Sequence, residues 1–293
     1  MRLFNKFLFI ILFSFIACNS QVKDNDPNSI KIGTFNVAWL GDGINDRVQR
    51  SEEDYERIAN IISQINPDIL GLEEIENYKA IERLTKYLPT YSYYISDNGT
   101  SQNLCFLYKK GLSVNYLGLY YPLAVDPTNT RAGAVLEAKK GNFDFIMMLV
   151  HLKSTSHYDS TTELKELSRN LRVLQAEVIT KWADSILSLG KEQDIIIFGD
   201  FNDTPKRKNY PSLTPLINSG SLIFLTDGIK SCRFKNWYSI DHIIVSSSAK
   251  SRFIENSEFL YDFNSSLTDK DAEKISDHCP VTVRFEVISP DND

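Results

Sequence analysis

A five-residue run, DIIIF at 194–198, has the composition of a fully buried strand, and it delivers Gly199-Asp200-Phe201-Asn202 at its end. Strand alternation turns Asp200 and Asn202 to one side. A carboxylate and an amide at the mouth of a buried strand are costly to desolvate unless a cation, a histidine or a phosphate-bound water pairs with them. The same arrangement recurs along the chain. Asn36 lies in GTFNV, Glu74 in ILGLEEI and Asp241 in YSIDHIIV; His151 follows FIMMLV, and Asp277-His278 opens the ISDHCPV segment. One polar residue at a strand end is ordinarily a structural hydrogen-bonding group. So many in one domain are hard to explain that way.

The rest of the chain alternates strand-like and helix-like segments. Residues 30–40, 68–75, 91–96 and 104–108 read as strands, as do 132–138 and 143–152, which flank a hairpin turn at Lys139-Lys140-Gly141-Asn142. Later strands are expected at 238–246, 253–261 and 281–287. Ser51 with Asp54 forms a capping box ahead of Ile58, Ile61, Ile62 and Ile65, and Pro67 ends that helix. A shorter helix is expected over 76–88. Leu164, Leu167, Leu171, Leu174, Val178 and Trp182 mark a long amphipathic helix ending near Gly190, a stripe that belongs to core packing. Hairpin-adjacent strands with helices between some of them favour two packed sheets flanked by helices over a doubly wound parallel sheet.

Residues 1–17 read as a signal peptide: Arg2 and Lys6 precede an apolar run, 7–16, too short to span a membrane comfortably. Phe15-Ile16-Ala17-Cys18 has the form of a bacterial lipobox, with Phe15 departing from the usual Leu or Val. Residues 18–29 then read as a lipidated cysteine and polar tether, and 30–288 as the domain. The alternative is ordinary cleavage near Ala17; either way export is expected. Without the two leader cations, 30 basic residues face 38 acidic ones, which argues against a general cationic grip on nucleic acid but not against a local basic groove. Cys105, Cys232 and Cys279 allow at most one internal bridge, and no C-x-x-C pair suggests zinc.

The ordered series TFN, LEE, VHLKS, GDFND, IDHIIVS and SDHCPV resembles the endonuclease/exonuclease/phosphatase superfamily, over roughly residues 31–286. The resemblance implies an α/β fold: a four-layer α-β-β-α sandwich, two mostly antiparallel sheets packed face to face, with the site at one edge of the sheets. It also implies a metal-dependent phosphoesterase. Glu74 then stands as the principal metal-ligating carboxylate, assisted by Asn36, with Asp277 a further metal or neighbouring carboxylate. Glu73 stands beside Glu74 without ligating. Asp200 and Asn202 hold the attacking water and the phosphate; His278 faces the phosphate, oriented by Asp241; and His151 takes the second histidine position. Arg131 and Lys153 are candidate phosphate contacts. An oxygen-only ligand set suits Mg²⁺ or Mn²⁺.

Two departures from the deoxyribonuclease branch bear on substrate. Gln102 stands where an acidic residue orients the second histidine, and Glu76 where an arginine enters the DNA minor groove. His242 is expected on the opposite strand face from Asp241, and His157 in a surface loop. The leading expectation is an exported nuclease acting on DNA or RNA, anchored to a membrane through Cys18 and facing the periplasm or cell surface. The runner-up is a phosphodiesterase or phosphatase on another substrate, such as a phospholipid head group. The third is a non-catalytic binding lipoprotein. Nothing in the sequence implies a protein partner.

Overall fold

The computed structural model describes residues 26–96, 100–156, 158–291 and 293. The leader, Cys18 and His157 lie outside the described residues.

Twelve strands form two six-stranded sheets. The first contains β1 (Ser29–Leu40), β2 (Ile69–Ile75), β3 (Tyr91–Ile95), β4 (Asn103–Lys109), β11 (Phe259–Leu260) and β12 (Val281–Glu286), in the order β11-β12-β1-β2-β4-β3. The second contains β5 (Ser113–Tyr120), β6 (Gly133–Lys140), β7 (Phe143–His151), β8 (Ile195–Asp200), β9 (Leu222–Phe224) and β10 (Asp241–Ser246), in the order β5-β6-β7-β8-β10-β9. Every pairing is antiparallel except β1–β2 and β7–β8. Each of those two parallel pairs is joined through a long helix, α1 (Glu52–Ile65) and α3 (Thr162–Leu189), because a parallel return needs a crossover.

Alternation along the strands sorts the apolar residues into three layers. Ile32, Ile69 and Phe106 of the first sheet meet Leu136, Leu149, Phe198 and Ile243 of the second. Phe35, Leu70 and Leu72 turn the other way, under Ile58 and Ile62 of α1; Val150, Ile197 and Ile244 turn under Ile179 and Trp182 of α3. The result is the expected α-β-β-α sandwich. Gly71 permits the close approach of the sheets, since a Cβ there would fall 2.4 Å from Leu149 Cδ1 and 2.7 Å from a Phe198 ring carbon. At Gly199 the backbone turns to φ +140°, and a Cβ would strike the Val150 carbonyl oxygen at 1.9 Å. That glycine sets Asp200 at the end of β8.

The capping box at Ser51 forms with both reciprocal bonds. Several elements differ from expectation. The second helix, α2 (Tyr78–Thr85), is shorter because Asn77 caps it by accepting from the Lys79 and Ala80 N–H groups. Residues 253–261 do not form one strand: only Phe259–Leu260 pairs with β12, with an isolated bridge from Phe253 to Phe285. β10 begins at Asp241 rather than at 238, and β5 is an additional edge strand whose alternate residues are exposed. Short helices α4 (Thr214–Ile217), α5 (Ser247–Ser251) and α6 (Asp269–Ile275) complete the chain. Cys232 and Cys279 are joined in a disulfide, and Cys105 is free and buried.

Candidate active site

Asp200 is the residue on which the strand registers converge. The parallel β7–β8 pairing places His151 beside it, and the antiparallel β8–β10 pairing places Asp241 opposite it. His278 arrives just before β12. Ser276 holds that segment against β1: its Oγ donates to the Asn36 carbonyl at 2.6 Å and accepts from the His278 N–H at 3.0 Å.

The backbone around the site is strained. Ala38, Trp39, Glu74 and Asn202 all have positive φ, between +48° and +64°, a region that non-glycine residues enter only when their surroundings force them. The β1–β2 register shifts between Asn36 and Leu40, and β2–β4 between Leu72 and Ile75. These irregularities break strict alternation: Glu73 points into the interior while Glu74 reaches the site. Arg50, which the sequence reading did not single out, holds the distorted stretch. Its buried guanidinium donates to the carbonyls of Val37, Ala38 and Trp39 on one side, at 2.8–2.9 Å, and of Lys274 and Ile275 on the other.

The functional side chains form one network. His278 Nδ1 lies 2.9 and 3.0 Å from the Asp241 carboxylate oxygens, and its Nε2 lies 3.9 Å from Asp200 Oδ2. His151 Nε2 lies 3.5 Å from the same Asp200 oxygen and 3.8 Å from Glu74 Oε1. Asn36 Nδ2 bridges Glu74 Oε1 at 3.3 Å and Asp200 Oδ2 at 3.1 Å, and the Trp39 N–H donates to Glu74 Oε2. Asn202 donates from its backbone to Asp200 Oδ1 and from its side chain to the Leu152 carbonyl. Asn36, Glu74, His151, Asp200, Asn202, Asp277 and His278 all line one cavity of about 470 Å³.

The two histidines have opposite environments. Burial alone lowers the pKa of His278, but Asp241 and then Asp200 outweigh it and hold the ring well above the usual histidine range. Burial, with Arg131 and His278 adding repulsion, holds His151 well below that range. Burial also raises Asp200 and Glu74. Glu73 is fully buried, accepts from the Thr34 hydroxyl and is pushed well up by burial; it lies outside the lining of the cavity.

Some residues are placed differently from the resemblance. Gln102 does not orient His151: it accepts from Arg131 Nη2, and His151 Nδ1 has no partner among the described residues. Arg131 sits close enough to act electrostatically on Glu74 and Asp200 without lining the cavity. Lys153 does not line it either, and its Nζ donates to the Ser154 carbonyl. Glu76 accepts from the Asp42 N–H and, with Asp42 and Asp46, forms an acidic cluster two residues beyond Glu74. His242 is fully buried on the opposite face, edge-on to Phe201 and Phe224, as alternation requires.

The donor set fits a hard divalent cation. Glu74 and the exposed Asp277 supply carboxylate oxygens around the cavity, and the buried carboxylates raised by desolvation would be relieved by added positive charge. Asn36 turns its amide nitrogen to Glu74 and its Oδ1 to the Ala38 N–H, so here it fixes the Glu74 carboxylate. A tighter acid–histidine group, Asp200, Asp241 and His278, is already paired internally.

No curated protein matches the sequence significantly. Solved structures do resemble the fold. Truncated Caenorhabditis elegans TDP2 has a TM-score of 0.64 at 17% identity, over 88% of this chain and 97% of that one. The human Nocturnin catalytic domain with bound sulfate gives 0.60 at 16%, over 90% and 96%. A Bacteroides thetaiotaomicron mannosyl-6-phosphatase gives 0.54 at 16%, over 87% and 98%. The model of the Endonuclease/Exonuclease/phosphatase family matches residues 33–278, the stretch that contains every side chain of the network above. The chain therefore belongs to that family and is a metal-dependent phosphoric ester hydrolase.

Proposed function

We propose that this protein is an exported, Mg²⁺- or Mn²⁺-dependent phosphodiesterase whose substrate is nucleic acid. The observation that carries the reading is the pair of imidazoles, His151 and His278, that reach the same Asp200 oxygen, 3.5 and 3.9 Å away. Hydrolysis of a diester needs a proton removed from the attacking water and another delivered to the departing alkoxide, and two imidazoles around one carboxylate can serve both ends. Asp200 and Asn202 would position the water. His278, kept cationic by Asp241, would stabilise charge gathering on the phosphate oxygens. His151, neutral and buried, can take the proton from the attacking water, and the cationic His278 can deliver one to the leaving oxygen. Glu74 and Asp277 would hold a divalent cation, which would supply charge neutralisation at the phosphate.

Export is supported by the short apolar run ahead of Ala17-Cys18 and by the Cys232–Cys279 bridge, which suits an oxidising compartment. Labelled fatty acid should enter the wild type and not Cys18→Ser; equal labelling, or none in either, removes the lipid anchor and leaves secretion open. The acidic cluster of Asp42, Asp46 and Glu76 favours a second reading, a phosphoester other than duplex DNA, since it would repel a second phosphate backbone. The deciding experiment is a panel of plasmid, linear DNA, RNA, sphingomyelin and bis(p-nitrophenyl) phosphate, with Mg²⁺, Mn²⁺ or EDTA. Metal-dependent cleavage of the nucleic acids is expected. Turnover of sphingomyelin alone would replace this reading with the second.

A further inference from the structure

The catalytic cavity adjoins a larger cleft of about 760 Å³ that shares Asn202, Arg233, Asp277 and His278 with it. Three aromatic rings in this cleft are left to solvent: Tyr210, Phe234 and Trp237 are 69%, 53% and 68% exposed. Exposed rings scattered over a surface need no explanation, but three in one cleft beside a reaction centre form a platform. Phe234 and Trp237 lie with their centroids 5.2 Å apart.

The same cleft collects cations, against the net charge of −6 for the whole chain. Lys165, Arg169, Arg207 and Arg233 line it. Arg207 is paired with Asp203, but Lys165, Arg169 and Arg233 have no ion-pair partner among the described residues. Arg169 instead lies over the Tyr210 ring at 4.4 Å, and Arg233 lies 5.7 Å from that of Phe234. Three unneutralised cations exceed what the single scissile phosphate requires, and cations alternating with rings match a chain of phosphates that carries flat bases. Stacking needs a base face that is not already covered, which selects an unpaired strand. The acidic cluster beyond Glu74 weighs against a second backbone near the site. The disulfide fixes the spacing: it binds Cys232, next to Arg233 in the platform loop, to Cys279, next to His278.

We propose that this cleft is a single-strand subsite, in which Tyr210, Phe234 and Trp237 stack the bases, and Lys165, Arg169 and Arg233 hold the phosphates, flanking a scissile phosphate at His151 and His278. The inference rests on the phosphodiesterase reading and specifies its substrate.

The test separates the two. Binding of a labelled single-stranded oligonucleotide is measured by fluorescence anisotropy in EDTA, where no turnover occurs, for wild type, Phe234→Ala/Trp237→Ala and Lys165→Ala/Arg169→Ala. Hydrolysis of bis(p-nitrophenyl) phosphate with Mn²⁺ is measured in parallel. The aromatic variant should lose roughly 10- to 100-fold in affinity, the scale of one or two lost stacks. The Lys165/Arg169 variant should weaken binding and reduce its salt dependence. Both should keep wild-type turnover of the small diester, because none of the four substituted residues lines the catalytic cavity, and a Trp237→Phe variant should retain most of the affinity. Undiminished strand binding in both variants, no strand binding by the wild type, or tighter binding of the matching duplex would overturn the subsite. Absence of diester turnover in the wild type would instead count against the phosphodiesterase reading, and the EDTA binding data would still decide whether the cleft holds a strand.

Discussion

His278 Nδ1 is shared almost equally between the two carboxylate oxygens of Asp241, at 2.9 and 3.0 Å, and this fixes Nε2 as the nitrogen that faces Asp200. The carboxylate is nearly buried and, among the described residues, ion-pairs with the His278 ring alone, so the two stand or fall together. Asp241→Asn and His278→Ala should each lower kcat by roughly 10²- to 10⁴-fold. The double variant should be little worse than the poorer single, because the first substitution already removes what the second would. Fully additive losses in steady-state kinetics would show that Asp241 does not act through His278.

Arg50 makes the second prediction. Its guanidinium is buried, and it satisfies five backbone carbonyls from two separate segments. Truncation would leave several of these acceptors dry, so Arg50→Met should destabilise the fold by roughly 2–4 kcal/mol in urea unfolding. Arg50→Lys keeps the charge but not the fork, and should lower kcat even where the protein stays folded, since the strained stretch carrying Ala38 and Trp39 borders the cavity. A lysine variant with wild-type kinetics would limit Arg50 to ordinary stability.

The architecture was legible in the sequence because the core strands are long apolar runs with clear ends. The polar strand ends were legible for the same reason: Asp200, Asp241 and His151 stand out against Ile, Val and Phe. What escaped has physical causes. β5 is an edge strand with none of its residues fully buried, so it has little apolar signal to read. Arg50 acts through carbonyl oxygens, which have no sequence signature. Gln102 was read from a position in a pattern, yet its partner depends on the path of Arg131, which arrives from 29 residues away in the chain. The cationic and aromatic cleft draws Lys165 from α3 and Tyr210 and Arg233 from two separate loops, which composition averages into a net acidic chain.

Glu74 carries the third prediction. It is held at φ +64° with both oxygens bonded, to Asn36 and to the Trp39 N–H. Glu74→Gln preserves the shape and one acceptor oxygen, so thermal unfolding without metal should change little. Mg²⁺ or Mn²⁺ affinity by calorimetric titration should fall at least tenfold, along with most metal-dependent turnover. Unchanged cation affinity would assign the metal to other residues.

The last prediction concerns stability away from the site. Burial pushes Glu192 up to about 8, reinforced by Asp293 and Asp194, and pushes Asp194 up to about 6. A carboxyl whose folded pKa lies above its unfolded one keeps its proton longer in the folded state. Its neutral form therefore fits the fold, and stability is lost as pH rises from the ordinary glutamate range through about 8. Glu192 is only half buried, which limits the loss to roughly 1–2 kcal/mol at pH 8.5. Glu192→Gln cannot ionise, and its side-chain oxygen can still accept the bond that Glu192 Oε1 takes from the Asp194 N–H. The variant should match wild type in Tm at pH 5 and exceed it by a few degrees at pH 8.5. Melting curves that shift in parallel between the two pH values would place the ionisation of Glu192 outside the stability of this fold.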